Sequence, residues 1–166
     1  MKTILIACAL LAAAPAYAAP EQSPAAPAVP EANRQADDVL SQMFLWWNQA
    51  FKDPKGFTPE AFGRYFTDDA VLRVNGTNRA KGLTDLAARF RMIQGKVDAV
   101  EIQVPFVTVF PSADGTKLFT YHLEKSIEKG KPGRSMVMGY VELRGGKIAL
   151  VNFLSVEGEP GPVAMP

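Results

Sequence analysis

Cysteine is nearly absent from this chain. Cys8 stands alone among 166 residues, so an internal disulfide, a cysteine-rich zinc site and a dithiol redox pair are excluded. Histidine is as scarce: His122 is the only one, which excludes a centre built on several imidazoles. Neither sign of charge dominates, with 18 Lys+Arg against 17 Asp+Glu and a formal +1. That balance argues against nucleic acid held by bulk positive charge, and against an acidic solvating tail. No apolar run reaches the roughly 20 residues of a membrane-spanning helix. There is no phosphate-binding glycine loop, since Gly130-Lys131-Pro132-Gly133 is turn chemistry, and no metal or cofactor is expected. What is present is a 48% hydrophobic chain of one domain's length, long enough to bury a core.

Residues 1–18 read as a secretory signal. Lys2 supplies the positive start, Ile4 to Ala14 an apolar stretch of about eleven residues, and Ala16-Tyr17-Ala18 the small-x-small cleavage site. Leu5-Ile6-Ala7-Cys8 faintly resembles a lipid-attachment motif, but the apolar run before Cys8 is too short for that route. Cleavage after Ala18 is therefore expected, with the product periplasmic or secreted from a bacterium. That product has no cysteine to mispair in an oxidising compartment. Residues 19–33 are rich in proline and alanine and lack aromatics, which predicts an extended linker. Residues 158–166 form a similar tail, leaving 34–157 as the folded domain.

The front of that domain is helical. Ala36, Leu40, Met43, Trp47 and Phe51, widened by Val39, Phe44 and Ala50, make one face of a helix over 34–52. Asp53-Pro54-Lys55-Gly56 stops it, and Thr58-Pro59 starts a short second helix that Asp68-Asp69 closes. A strand over 70–75 leads to an Asn75-Gly76 turn, and a third helix runs from Thr84 to Gln94. Beyond Lys96 the pattern becomes β-branched and aromatic. Long strands are expected over 97–110, 117–127, 135–144 and 147–157, joined by three turns as an antiparallel meander. Pro105 inside the first of these marks a bulge or an edge. The class is α+β, with helices covering one face of a sheet.

Three stretches in this order resemble the nuclear transport factor 2-like superfamily, in its SnoaL-like branch. They are Phe66-Thr67-Asp68-Asp69-Ala70-Val71-Leu72, then Lys81-Gly82 before a helix bearing Leu86 and Phe90, then Gly146-Lys147-Ile148. The resemblance spans roughly residues 36–157. It implies a cone-shaped barrel of three helices on a strongly curved antiparallel sheet, a pocket at the open end, and a homodimer through the outer sheet face. Ketosteroid isomerases of this superfamily use an aspartate base, a first-helix tyrosine and a protonated late-strand aspartate. Counting from the shared motifs places those roles at Val74, Trp47 and Gly139, none of which has the required chemistry.

His122 is the obvious acid–base candidate, with Tyr65 or Ser155 as a hydrogen-bond donor. Its strand sets Phe119, Tyr121 and Leu123 on one side and Leu118, Thr120, His122 and Glu124 on the other. If the apolar side faces the pocket, His122 lies outside it. Asp68 and Asp69, adjacent at a corner, are better read as capping or solvated than as a catalytic pair. Trp47 lies on the buried helix stripe, and Trp46 about 100° round the helix. By analogy with the family, Val137, Gly139 and Val141 face the pocket with Val151, Phe153 and Ser155. Met136, Met138 and Tyr140, with Leu150, Asn152 and Leu154, then form the dimer face.

Three functions follow from this reading. The first is an exported protein that binds a small hydrophobic molecule among Trp47, Phe66, Val74, Phe90, Val137, Gly139, Val151, Phe153 and Ser155. The second is a cofactor-independent lyase, cyclase or dehydratase that acts on a polycyclic or aromatic substrate through His122 and Tyr65. The third is a dimeric scaffold with a filled interior.

Overall fold

The computed structural model describes residues 36–159. The expected signal (1–18), the linker (19–33) and residues 160–166 of the expected tail lie outside the described residues.

Helix α1 spans Val39–Ala50. Asp38 caps it, accepting from the Ser41 N–H at 2.9 Å and from the Ser41 hydroxyl at 2.6 Å. The chain thus enters the helix later than the apolar spacing suggests, with Asp38 as cap instead of inside the first turn. The short α2, Pro59–Phe62, starts on the Thr58 hydroxyl and has proline at its first position. Strand β1 is Phe66–Val74, so Asp68 and Asp69 lie within a strand and close no helix. Asn75 and Gly76, both at positive φ, turn the chain into β2, Thr77–Lys81. Helix α3, Gly82–Gln94, follows directly.

The expected strand over 97–110 is two strands, β3 (Ala99–Ile102) and β4 (Thr108–Pro111). The break between them holds Pro105, whose preceding peptide is cis. Both pair with the same edge of β5 (Lys117–Glu128), β3 at its end and β4 at its start. Proline has no ladder N–H to give, and the edge tolerates that loss. Strands β6 (Lys131–Arg144) and β7 (Lys147–Glu157) complete a curved sheet of seven strands that does not close on itself. The order is β2-β1-β7-β6-β5-β3, with β4 also on β5.

One pairing corrects the expected all-antiparallel sheet. Strands β1 and β7 run parallel, with Leu72 opposite Val151 and Val74 opposite Phe153. The last strand is therefore interior to the sheet. Strand β3 is held from its other side by α1. The Asn48 side chain donates to the Ile102 carbonyl at 2.8 Å and accepts from its N–H at 2.9 Å, satisfying groups that an edge strand leaves open.

The apolar stripes of α1 and α3 join one face of the sheet in a single buried cluster. Phe57, Phe62 and Phe90 form its aromatic centre, with ring centroids 5.4 to 5.8 Å apart.

Candidate functional site

The inner face of β5, β6 and β7 is organised as rungs read across the strands. Leu118, Val141, Val151 and Leu72 make one rung, and Thr120, Gly139, Phe153 and Val74 the next. Then come His122, Val137 and Ser155, and after them Ile102, Glu124 and Ser135. Side chains alternate along a strand, so each rung presents one layer to the interior. The layers pass from wholly apolar to increasingly polar towards the start of β6.

Above these rungs lies a cavity of about 240 Å³. Trp47 and Phe44 enter its wall from α1, and Phe90, Ile93 and Arg89 from α3. The sheet contributes Phe66 and Val74 from β1, Val137 from β6, and Val151, Phe153 and Ser155 from β7. Glu124 of β5 completes the polar part. Of two larger and more open concavities, one of about 670 Å³ mixes apolar with polar residues, and one of about 840 Å³ is lined largely by polar and charged ones. The 240 Å³ cavity combines an apolar, aromatic wall with a few polar groups, which is the general character of a small-molecule site.

His122 is on the inner face yet does not line this cavity. It is fully buried, its ring 5.3 Å from Phe44, 5.1 Å from Phe106 and 5.4 Å from Phe153. Nδ1 is hydrogen-bonded to the Thr120 hydroxyl at 2.9 Å. Nε2 has no hydrogen-bond partner and faces the Glu124 carboxylate at 3.8 Å. That carboxylate favours the tautomer with the proton on Nε2, in which the Thr120 hydroxyl donates to Nδ1. So the side of β5 carrying Thr120 and His122 faces inward, and Phe119, Tyr121 and Leu123 face outward. A buried threonine and histidine are tolerable because each answers the other.

Tyr65 is not with His122. It stacks on Trp46 at 5.4 Å, beneath the Arg64 guanidinium, and stands outside the cavity wall. Trp46 belongs to this same cluster, packed on Phe57 and Phe62. The fold holds His122 and Tyr65 apart, and His122 is buried outside the cavity wall. Gly139 is not part of the cavity wall either. A side chain there would meet the Asn152 carbonyl at 2.1 Å, so this glycine is required by the close approach of β7. Asp69 is exposed and bonded to the Thr67 hydroxyl and to Arg144, which hold its carboxyl below the ordinary value, in that order. That is a surface role.

Arg89 and Glu124 were not singled out from the sequence, though a signal exists. Leu86, Arg89, Phe90 and Ile93 follow the three-four spacing of a buried helix stripe, so Arg89 sits where an apolar residue is expected. Glu124 lies two residues beyond His122 on the same strand face. Among the described residues, no group of three or more His, Cys, Asp or Glu side chains is placed to hold a metal ion. No described helix is long and apolar enough to cross a membrane.

No family model and no curated protein matches this chain. Solved structures do match, among them three of low identity. An NTF2-like protein of unknown function from an Exiguobacterium species is 18% identical, with TM-score 0.59, covering 74% of this chain and 99% of its own. An NTF2-like protein from Anabaena variabilis is 16% identical, with TM-score 0.56, covering 74% and 89%. A protein with a ketosteroid isomerase-like fold from Catenulispora acidiphila, in complex with trimethylamine, is 15% identical with TM-score 0.53, covering 69% and 84%. The fold is NTF2-like.

Proposed function

We propose that this chain binds a small, largely apolar organic molecule in the cavity beneath α1 and α3. The observation that carries this reading is the wall itself: Phe44, Trp47, Phe66, Phe90 and Phe153 surround a volume of about 240 Å³. Pockets for drug-sized ligands run from roughly 300 to 1,000 Å³, so a guest of one ring or a short branched chain suits this one better than a polycycle. The trimethylamine in the Catenulispora structure is in keeping with a guest of small size. In this reading the curved sheet and its helices form a cone, closed at the Val141–Ile148 end. The chain is exported, its signal is removed after Ala18, and it meets its ligand in the periplasm or outside the cell. Its apolar outer sheet face, with Met138 and Leu154 exposed, forms a homodimer.

One observation favours an enzyme as the second reading. The Glu124 carboxylate stands in the cavity with His122 fixed behind it, an arrangement suited to general acid–base work on a bound molecule. In that case Glu124 would be the group that touches substrate, and His122 would act only through it.

The test is a titration with para-cresol, followed by tryptophan fluorescence and by amide NMR. Saturable shifts at Val74, Val151 and Phe153 are expected. Filling the cavity with Val137→Phe should abolish them while the fold persists. Shifts that never saturate, or that survive Val137→Phe, would overturn the assignment.

A further inference from the structure

The polar side chains of this cavity are only partly engaged with the described protein. Arg64, Arg73, Arg91, Arg134 and Arg144 each donate to, or pair with, a described residue. Arg89, in the cavity wall, has no such partner among the described residues. (Arg79 has none either, but it is exposed on the edge strand β2.) Among the described residues Glu124 has no basic partner other than His122, whose Nε2 stands 3.8 Å behind it. Ser155 is fixed through its backbone, its N–H donating to the Asn75 side chain at 2.9 Å and its carbonyl accepting from it at 3.2 Å. Its hydroxyl has no partner among the described residues.

Arg89 and Glu124 thus stand in one cavity wall, from α3 and from β5, without forming an ion pair with each other. A wholly apolar guest would strip water from both charges and return nothing, which is unfavourable for any ion that ends up unpaired. A guest carrying only an anion would satisfy Arg89 but set its charge against Glu124. The chemistry that answers both is an anion at one end and a hydrogen-bond donor at the other, on an apolar body. Arginine's planar fork is suited to a carboxylate, and an ionised carboxylate such as that of Glu124 only accepts.

Resting on the binding role proposed above, we infer that the ligand is a small aromatic or branched-chain acid that also bears a hydroxyl or ammonium group. Its carboxylate is taken by Arg89, and its donor by Glu124 with Ser155 beside it. Its body lies against Phe66, Phe90 and Phe153. His122 is a positioning residue here, placed at the back of the Glu124 carboxylate.

Four probes of similar size separate the possibilities by calorimetry on the full chain: para-cresol, phenylpropionate, tyramine and para-hydroxyphenylpropionate. The last carries both functions and is expected to bind about tenfold or more tighter than either para-cresol or phenylpropionate, the order of one charge-assisted contact. Arg89→Gln should erase the advantage of the carboxylate and leave para-cresol no weaker. Glu124→Met should erase the advantage of the hydroxyl and leave phenylpropionate no weaker. Matching thermal melts show that both variants are folded. Equal affinity for all four probes, or a carboxylate advantage that survives Arg89→Gln, overturns this inference while saturable para-cresol binding leaves the cavity reading intact. Tyramine binding tightest would overturn the assignment of Arg89 as the anchor. If no probe binds, para-cresol included, the cavity reading falls and this inference falls with it.

Discussion

On one face of β5, β6 and β7 stand Leu118, Thr120, His122, Val137, Val141, Val151 and Phe153, all buried. On the other stand Phe119, Tyr121, Met138, Tyr140, Leu154 and Val156, none of them buried. The second face is the more aromatic and holds no titratable imidazole, yet it is the first that forms the core. Hydrophobicity does not decide between two apolar faces; the helices do, by lying on one of them. What admits Thr120 and His122 to the interior is that they bond to each other, so burial leaves fewer polar atoms unanswered. What the outer face retains is a broad apolar surface on a single copy, the kind of surface that marks an interface.

The contrast is open to direct attack. The largest effect is expected at Gly139, where the β7 backbone fills the space that a side chain would need. Its φ of +153° and the 2.1 Å separation between an added Cβ and the Asn152 carbonyl leave no room for alanine. Gly139→Ala should lose about 3 kcal/mol or more of stability, read by urea denaturation. An unchanged midpoint would mean that the two strands are not this close.

A sharper comparison uses neighbours on one strand. Phe153 is 6% exposed and Leu154 56%. Phe153→Ala should cost about 3 kcal/mol and Leu154→Ala no more than about 0.5, measured at dilute protein. Equal losses would erase the distinction between the faces. At higher concentration the proposed dimer requires Leu154→Glu to sediment more slowly than the unaltered protein.

The smallest effect belongs to neither face. Asp114, in the turn between β4 and β5, accepts from the Ser112 hydroxyl and from the N–H and hydroxyl of Thr116. The Ser112 bond first, and the Thr116 bonds after it, lower its carboxyl from 3.8 to about 2. Because the folded form holds the ionised carboxylate, the contribution is present above the ordinary value of 3.8 and lost as pH falls through about 2. Asp114→Asn should therefore destabilise slightly at neutral pH, the gap closing on acidification over that window. A gap independent of pH would place the effect elsewhere in the turn.

Much of this fold is legible in the chain. Gly95 ends α3 and Gly145-Gly146 opens β7 where the residues indicate, because both breaks rest on local backbone chemistry. Strand β2 is hidden for the opposite reason: in Thr77–Lys81 only Ala80 is buried, so no alternation shows. The parallel partnership of β1 and β7 is a tertiary choice that no local pattern encodes. The positions of Val74, Val137, Val151 and Phe153 in the cavity wall were readable, though only by analogy with the resembled family. Arg89 and Glu124 were not, because a charged residue on a helix or strand ordinarily signals solvent. His122 was visible as a residue but not as a position, since its strand face reads as the polar one.

The interior placement of β7 also governs when the molecule can be completed. The Asn75 side chain clasps Ser155, 80 residues further along. Until that stretch has been synthesised, β1 has only the five-residue β2 beside it and β6 has an open flank. A chain interrupted before residue 147 would carry two raw strand edges side by side in place of one finished sheet, an invitation to pair with other chains. Strand β7 is the one that joins β1 to β6, so this sheet cannot be assembled until residues as far as Glu157 have been synthesised.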